Sequence, residues 1–411
     1  MRVLPPSEPL DALRRLDPER LYLFAVGPMR GEALAVRLPG VGWLLIDCCR
    51  VKAADGSEAL PQETLVTRYP APIAGALLTH PHHDHVDGFA DLLNRLRPER
   101  VMVSGDDPPE RHLVDEVEAA LAAAAGTREV QVRKQVQAAA VAIRQWEART
   151  QRTVTPLHTG TSLWRAPVSV VCRAPDMTAA RPLLEGRDLA ERANELSAVL
   201  EIQWGDTRLV LGGDLPRVAT SRRKPNPIPS GWDLVMQQRP ELGEHTGLKV
   251  PHHASWAAMH LSLMRPAPDR RRAWVVTPLH NGRNHLPSLD VNDGIDLLHL
   301  AEPCVMVTRE PRVAERPSVW DLPALRAAVR KPVAANPSSP EARSSHPMRR
   351  SRRWTPRGPS HWTRRVVSSR ATAVRQPSTW CPSGLFEKFF NLVRHYADRP
   401  TGASAVGSKT K

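Results

Sequence analysis

The chain is poor in cysteine. Its five cysteines, Cys48, Cys49, Cys172, Cys304 and Cys381, are odd in number, scattered, and nowhere spaced as CxxC. That excludes a disulfide scaffold and points to reduced thiols in a cytoplasmic protein. The sequence also lacks any uninterrupted apolar run of about 18 residues, so no membrane span and no membrane partner are expected. Its first twenty residues, MRVLPPSEPLDALRRLDPER, contain no apolar h-region and do not read as a signal peptide. No internal repeat is visible. Acidic residues are scarce at one end: Lys331–Lys411 holds 3 of the 43 Asp and Glu but 16 of the 57 Lys and Arg. The other 330 residues hold 41 basic and 40 acidic groups, so nearly all of the formal charge of +14 belongs to that end. A near-neutral body does not bind nucleic acid by bulk charge.

Three regions follow from this. Residues 1–20 form an N-terminal extension, 21–315 a globular domain, and 316–411 an Arg-, Ser- and Pro-rich tail. The tail has no sustained period of 2 or 3.6, so disorder is expected. The exception is SGLFEKFFNLVRHYA, Ser383 to Ala397, which reads as a short amphipathic helix. The tail is either a basic arm contacting nucleic acid or another acidic partner, or a solvated or out-of-frame end. Nothing in the sequence speaks to oligomeric state.

The body reads as α/β. Strand-like runs occur at LYLFAVG, EALAVRL, GWLLIDC, AGALLT, RVMVSG, PVSVVCRA, SAVLEIQW, TRLVLGG, RAWVVTP and CVMVTR. Helix-like pieces lie between them, among them DGFADLLNRL, VQVRKQVQAAAVAIRQWEA and SWAAMHLSLM. The first three strands are joined by short turns and suggest an antiparallel meander. The later alternation suggests two sheets with helices outside, a four-layer sandwich. The Ala-, Arg- and Gln-rich stretch at about 107–150 reads as a helical insertion or lid.

Chemistry concentrates in GALLTHPHHDHVDGFADLL, where four histidines and two aspartates fall between His80 and Asp87. If the strand continued through them, His80 and His82 would face one side, with Asp84 and His85 following at the strand-to-helix turn. Three imidazoles and a carboxylate around one point are costly to desolvate, and a borderline divalent metal such as Zn²⁺ satisfies them.

THPHHDHVDG resembles the HxHxDH signature of the metallo-β-lactamase superfamily. TRLVLGGDLP resembles its strand ending in a metal-bridging aspartate, here Asp214, and LKVPHHAS supplies a later histidine in His252 or His253. GWLLIDCC resembles the strand whose aspartate, here Asp47, plays a supporting part. The order ANELSAVLEI, LVLGGDL and LKVPHHAS is similar to the soluble domain of ComEC-type competence proteins, whose N-x-x-G-H-P element is degenerate here as NGRNHLP, and AVGPMRGEALAVRLPGVGWLLIDCC resembles that group's opening V-G-x-G-(D/E)-(S/A) strand pair. The resemblance spans about Leu21 to Val307. It implies a metallo-β-lactamase-like αββα sandwich and two divalent ions, Zn²⁺ or Mn²⁺, on His80, His82, Asp84, His85, Asp214 and His252. Asp84, Asp214, His253 and His285 are the expected chemical participants, with Ser255 a further candidate to orient substrate. Two departures stand out. No third histidine lies between His85 and Asp214 at the superfamily's position, near which Asn194 falls, and Ala254 replaces a preferred glycine.

The implied activity is metal-dependent hydrolysis by a metal-bridging hydroxide, with a phosphodiester, nucleotide or nucleic acid as substrate. The small basic patches SRRKPNPIP and DRRRAW suit a short or single-stranded ligand, or are solvated loop charges. Two alternatives stay open: a hydrolase of small esters, thioesters or lactones, and a non-catalytic metal-binding module with a degenerate site.

Overall fold

The computed structural model describes residues 15–28, 30–52, 56–105, 114–115, 129–184, 192–217, 230–264, 272–281, 284–287 and 305–308. The tail, the Ser383–Ala397 helix, the SRRKPNPIP patch, Cys304 and Cys381 lie outside them, as does most of residues 1–20.

The chain opens with β1 (Tyr22–Val26), β2 (Ala33–Leu38) and β3 (Gly42–Ile46), which form the expected antiparallel meander. A small ribbon of β4 (Val51–Lys52) and β5 (Glu58–Ala59) precedes α1 (Pro61–Arg68) and β6 (Ile73–Leu78). A single turn, α2 (His83–Val86), leads into α3 (Phe89–Leu96), β7 (Val101–Ser104), α4 (Glu129–Thr150) and β8 (Thr155–Leu157). The first sheet has the order β1-β2-β3-β6-β7-β8 and is parallel from β3 onward.

The second sheet takes β9 (Ser162–Trp164), β10 (Ser169–Ala174), β11 (Val199–Trp204), β12 (Thr207–Leu211), β13 (Gly247–Lys249), β14 (Ala273–Val276) and, after the β15 (Leu279–Asn281) and β16 (Asn284–Leu286) ribbon, β17 (Val305–Val307). Its order is β17-β14-β13-β12-β11-β10-β9, antiparallel from β9 to β12 and parallel from β12 to β17. Helices α5 (Met177–Leu184) and α6 (Gly231–Gln238) connect its strands.

Strand periodicity explains the layering. In β3, Leu44 and Ile46 join Leu77, Met102, Val170, Leu200, Ile202 and Leu211 in a core between the sheets. Their neighbours Trp43 and Leu45 point the other way, against Phe89, Leu92, Leu93, Ile143 and Trp146 of the helices. A third core packs Val199, Val210, Leu248 and Trp274 against Trp232 and Val235 of α6. Three apolar layers separate four structural ones, so both sheets are buried on both faces and their strands read as continuous apolar runs. The architecture is the four-layer αββα sandwich expected from the sequence.

Two local expectations give way to packing. Within the expected insertion, residues 129–150 form α4, the crossover between parallel β7 and β8. Val136, Ala139, Ala140, Ile143 and Trp146 make one apolar stripe at helical spacing, buried on α3. Trp146 Nε1 donates to Pro98 O at 3.0 Å. This part is an outer layer of the fold. Apart from residues 114–115, the rest of 107–128 lies outside the described residues. SWAAMHLSLM folds as a 3-10 turn over Trp256–Ala258 and a second turn, closed by bonds three residues apart such as Ala258 N to Ser255 O.

Candidate metal centre

The site forms where the carboxyl ends of parallel strands from the two sheets meet, the usual place for ligands in open α/β sheets. β6 ends at Leu78, so the loop Thr79–His82, rather than a pleated strand, brings the first histidines together. The His80 and His82 rings lie 4.8 Å apart. Asp47 follows β3, Asp214 follows β12, and the turn Pro251–Ala254 follows β13.

Asp84, His85, Asp214 and His253 offer ligand atoms that all lie within 4.8 Å of one another. His85 Nε2 is 3.2 Å from Asp214 Oδ2, and His253 Nε2 is 3.1 Å from Asp84 Oδ2 and 3.5 Å from Asp214 Oδ2. His80 Nε2 and His252 Nε2 each stand 4.0 Å from the same Asp214 oxygen. Of the two adjacent histidines, His253 is therefore the one inside the group. His252, 24% exposed, lies at its open side, 3.3 Å from Asn194 Nδ2. His82 sits beside His80 but not within the four-residue group. His285 is paired with His280 across the β15–β16 ribbon, Nδ1 to Nδ1 at 2.5 Å, and is not part of the group either.

Each buried imidazole is aimed by a group behind it. His85 Nδ1 donates to Asp47 Oδ2 at 2.7 Å. Asp47 is itself fixed by Thr79, whose main-chain N–H donates to Oδ1 at 2.7 Å and whose hydroxyl donates to Oδ2 at 2.8 Å. With that proton committed, Thr79 Oγ1 accepts from His80 Nδ1 at 3.0 Å. His253 Nδ1 donates to Thr277 O at 2.6 Å. All three rings are thus protonated on Nδ1, and in their neutral form each turns a bare Nε2 lone pair toward the cluster. That is the tautomer a metal ligand needs. Gln62 Nε2 holds the backbone behind Asp47, donating to Asp47 O at 2.7 Å and lying 3.1 Å from Leu34 O. On the other side Ser197 Oγ accepts from Asp214 N at 2.9 Å. Only glycine fits at 213: its φ is 51°, and a Cβ there would sit 2.5 Å from Ser197 Oγ.

The backbone is strained where the site is. Asp47, His252, His253 and Ala254 all have positive φ, at 53°, 47°, 52° and 66°, a conformation costing about 1–2 kcal/mol per non-glycine residue. The value at Ala254 accounts for the glycine preference noted in the sequence: the turn demands a left-handed residue there.

The donor set fits divalent cations. Four carboxylates, Glu32, Asp47, Asp84 and Asp214, gather here, and among the described residues one buried ammonium, Lys249, stands against them, paired with Glu32 and facing Asp214. His80 Nε2, His85 Nε2 and Asp214 Oδ1 are buried without a hydrogen-bond partner, a state that costs about 1–3 kcal/mol per group unless something satisfies it. Burial alone would lower the pKa of His85, yet Asp214, Asp47 and Asp84 raise it well above the usual imidazole range. Against the same burial, Asp214 and Asp84 push His253 up to about 9. Burial, with His85 and His82 nearby, drives His80 far down. His85, His253 and His252 hold Asp214 well below the ordinary carboxylate range despite its burial. Protons on His85 and His253 thus stand in for positive charge that cations would supply.

Sequence reasoning missed Glu32 and Lys249. Glu32 lay unassigned inside the opening strand pair, and Lys249 inside LKVPHHAS. A buried charge in an apolar run is the signal that could have found both. Cys48, Cys49 and Cys172 are buried free thiols, and burial pushes Cys172 up to about 12. No helix among the described residues is long and apolar enough to cross a membrane.

Residues 42–208 match the family model described as a Beta-lactamase superfamily domain. The match takes in Asp47, the His80–His85 cluster, Asn194 and Ser197, and stops before Asp214. No curated protein matches the chain significantly. Among solved structures, the hydrolase AbOPH of the β-lactamase superfamily is similar at 18% identity over 46% of this chain and 56% of that one, with a TM-score of 0.28. CmlA, a diiron β-hydroxylase from Streptomyces venezuelae, is similar at 15% identity over 58% and 36%, TM-score 0.32. A metallo-β-lactamase from Staphylococcus aureus subsp. aureus COL is similar at 10% identity over 48% and 44%, TM-score 0.27. The chain spans 56% of the first of these proteins and less than half of the other two. Likeness at this level assigns no chemistry.

Proposed function

We propose that this protein is a metal-dependent hydrolase whose substrates are phosphodiesters. The observation that carries the reading is the convergence of Asp84, His85, Asp214 and His253 within 4.8 Å, on strand ends of both sheets. His80, His82, Asp84, His85, Asp214 and His253 would hold the cations, with His252 at the rim. Bound there, two divalent ions such as Zn²⁺ or Mn²⁺ would supply a hydroxide at neutral pH and Lewis acidity at a phosphoryl oxygen.

The protein's own part is to fix these groups and present the substrate. Asp47 and Thr79 lock the tautomers of His85 and His80, and Thr277 O locks that of His253. Ser197 holds the main chain of Asp214. Asn194 and His252 touch each other at the open side, and Asn194 Oδ1 and His252 Nδ1 are unpartnered. With Asn194 Nδ2 donating to His252 Nε2, His252 would carry its proton on Nδ1 and could give a hydrogen bond or a proton to a leaving group, while Asn194 Oδ1 could accept from a substrate hydroxyl. His285 lies outside this proposed centre. What favours phosphodiesters is that the three ComEC-like elements, Asn194/Ser197, Gly213/Asp214 and His252/His253, come together at one place.

The test is turnover by the full chain of single-stranded DNA, duplex DNA, RNA, cyclic dinucleotides, a thioester and a β-lactam, with excess Mn²⁺ or Zn²⁺. Phosphodiester cleavage that falls at least ~10³-fold in Asp214→Ala is the expected result, since one change disturbs both ions. Turnover of the thioester or β-lactam alone would move the substrate class. Metal binding without turnover of any of them would leave a binding module, with Asn194 in the third histidine's place as the cause.

A further inference from the structure

Beneath the cluster lies an ion pair that the hydrolytic reading leaves unused. Lys249 Nζ is 2.6 Å from Glu32 Oε2, and both side chains are fully buried. Lys249 Nζ is also 3.4 Å from Gly213 O and 3.8 Å from Asp214 Oδ1. Glu32 reaches two more parts of the centre. Its main-chain N–H donates to Asp84 O at 2.8 Å, and its Oε2 accepts from the hydroxyl of Thr277, whose carbonyl holds His253. The pair therefore joins β2 of the first sheet to the ends of β12, β13 and β14 of the second.

The two oxygens of Asp214 face different things. Oδ2 is 3.2 to 4.0 Å from the Nε2 atoms of His85, His253, His80 and His252. Oδ1 faces the Lys249 ammonium and has no hydrogen-bond partner. We infer that Lys249, neutralised by Glu32, is a positioning residue that holds Asp214 Oδ1 back and keeps Oδ2 turned toward the imidazoles that would hold the cations. A carboxylate free to rotate would chelate one ion with both oxygens and leave the other short of a ligand.

Energetics favours this over a purely structural pair. Burying two charges costs several kcal/mol per ion, and replacing such a pair with apolar groups of similar volume is often neutral or stabilising by about 1–4 kcal/mol. Methionine has nearly the volume of lysine, so stability alone does not call for a lysine at 249. The ammonium has an electrostatic use here that methionine lacks.

The inference rests on the metal-centre reading, and the test separates the two. Full-length wild type and the double variant Lys249→Met/Glu32→Gln are compared by thermal unfolding, by Zn²⁺ affinity against a chromogenic chelator, and by the visible spectrum of the Co²⁺ form. The double variant leaves no charge unpaired and is expected to keep a cooperative transition. It should lose about 10- to 100-fold in metal affinity, as other changes behind metal ligands do, and its Co²⁺ spectrum should change. Wild-type affinity together with an unchanged Co²⁺ spectrum would overturn the inference and leave the metal centre standing. Wild type that binds no metal would overturn both. A crystal structure of the metal-loaded wild type gives a test free of variants: Asp214 ligating through Oδ2 alone, with Nζ near Oδ1, agrees, whereas bidentate chelation of one ion refutes the positioning role.

Discussion

Replacing Asp47 with asparagine changes one atom and should disable a ligand 38 residues away in sequence. Asp47 Oδ1 accepts the main-chain N–H of Thr79 at 2.7 Å, so the asparagine oxygen must take that place; the reverse orientation would set two donors against each other. The amide nitrogen then falls where Oδ2 was, 2.7 Å from His85 Nδ1. It donates, so His85 must accept at Nδ1 and carry its proton on Nε2, the atom that faces Asp214 and the cluster. The lone pair a cation needs is gone. Changes behind metal-ligating histidines cost about 10- to 100-fold in affinity, which is roughly 1.5–3 kcal/mol. Because the amide fits the carboxylate's space and keeps the Thr79 bond, Asp47→Asn should unfold cooperatively at close to the wild-type temperature. The assay is Zn²⁺ competition with a chelator on the full chain, beside a thermal melt. Wild-type affinity in a folded Asp47→Asn protein would refute the argument that Asp47 sets the tautomer of His85.

Three further outcomes follow from the same structure. Trp146→Ala should cost about 3–5 kcal/mol in urea denaturation, the range for a buried tryptophan, because α4 is an outer layer of the fold; a loss below about 1 kcal/mol would mean that it behaves as a detachable lid. His245 is buried, donates from Nε2 to Leu263 O, and has its pKa lowered by burial to about 4. The folded state therefore holds His245 neutral. Stability tied to it is fully present above the unfolded value of about 6.5 and falls by about 3 kcal/mol as pH drops from there to about 4; His245→Gln should remove about one proton's worth of that slope, and an unchanged slope would contradict the assignment. Because His253 is raised to about 9 and His85 is raised as well, the metal-free protein holds protons on both at pH 7.5. Loading Zn²⁺ should release them, so affinity should rise with pH up to about 9. Calorimetry in buffers of different ionisation enthalpy measures this, and zero release would argue that neither ring becomes a ligand.

Much of the fold was legible because both sheets are buried on both faces, and strands such as GWLLID and AGALLT then appear as plain apolar runs. The first half of the centre was legible because His80, His82, Asp84 and His85 are contiguous. Its second half depended on turn geometry that spacing does not encode. The left-handed conformations at His252 and His253 decide which ring enters the group, and nothing in the pair HH distinguishes them. Residues 129–150 looked like an insertion because alanines dilute the apolar stripe, yet the small side chains let α4 lie close on α3. Glu32 and Lys249 are 217 positions apart and become partners only when the two sheets stack.

The central claim is that Asp84, His85, Asp214 and His253, with His80 beside them, are a metal centre. Metal analysis of the full chain, purified without chelator and then offered Zn²⁺ or Mn²⁺, tests it most directly. The expected content is up to about two ions per chain in the wild type, with loss of about one in Asp84→Ala/His85→Ala, whose chain stays folded. A folded wild-type protein that retains less than about a tenth of an equivalent of either metal contradicts the account, because a set of ligands this preorganised should bind one tightly.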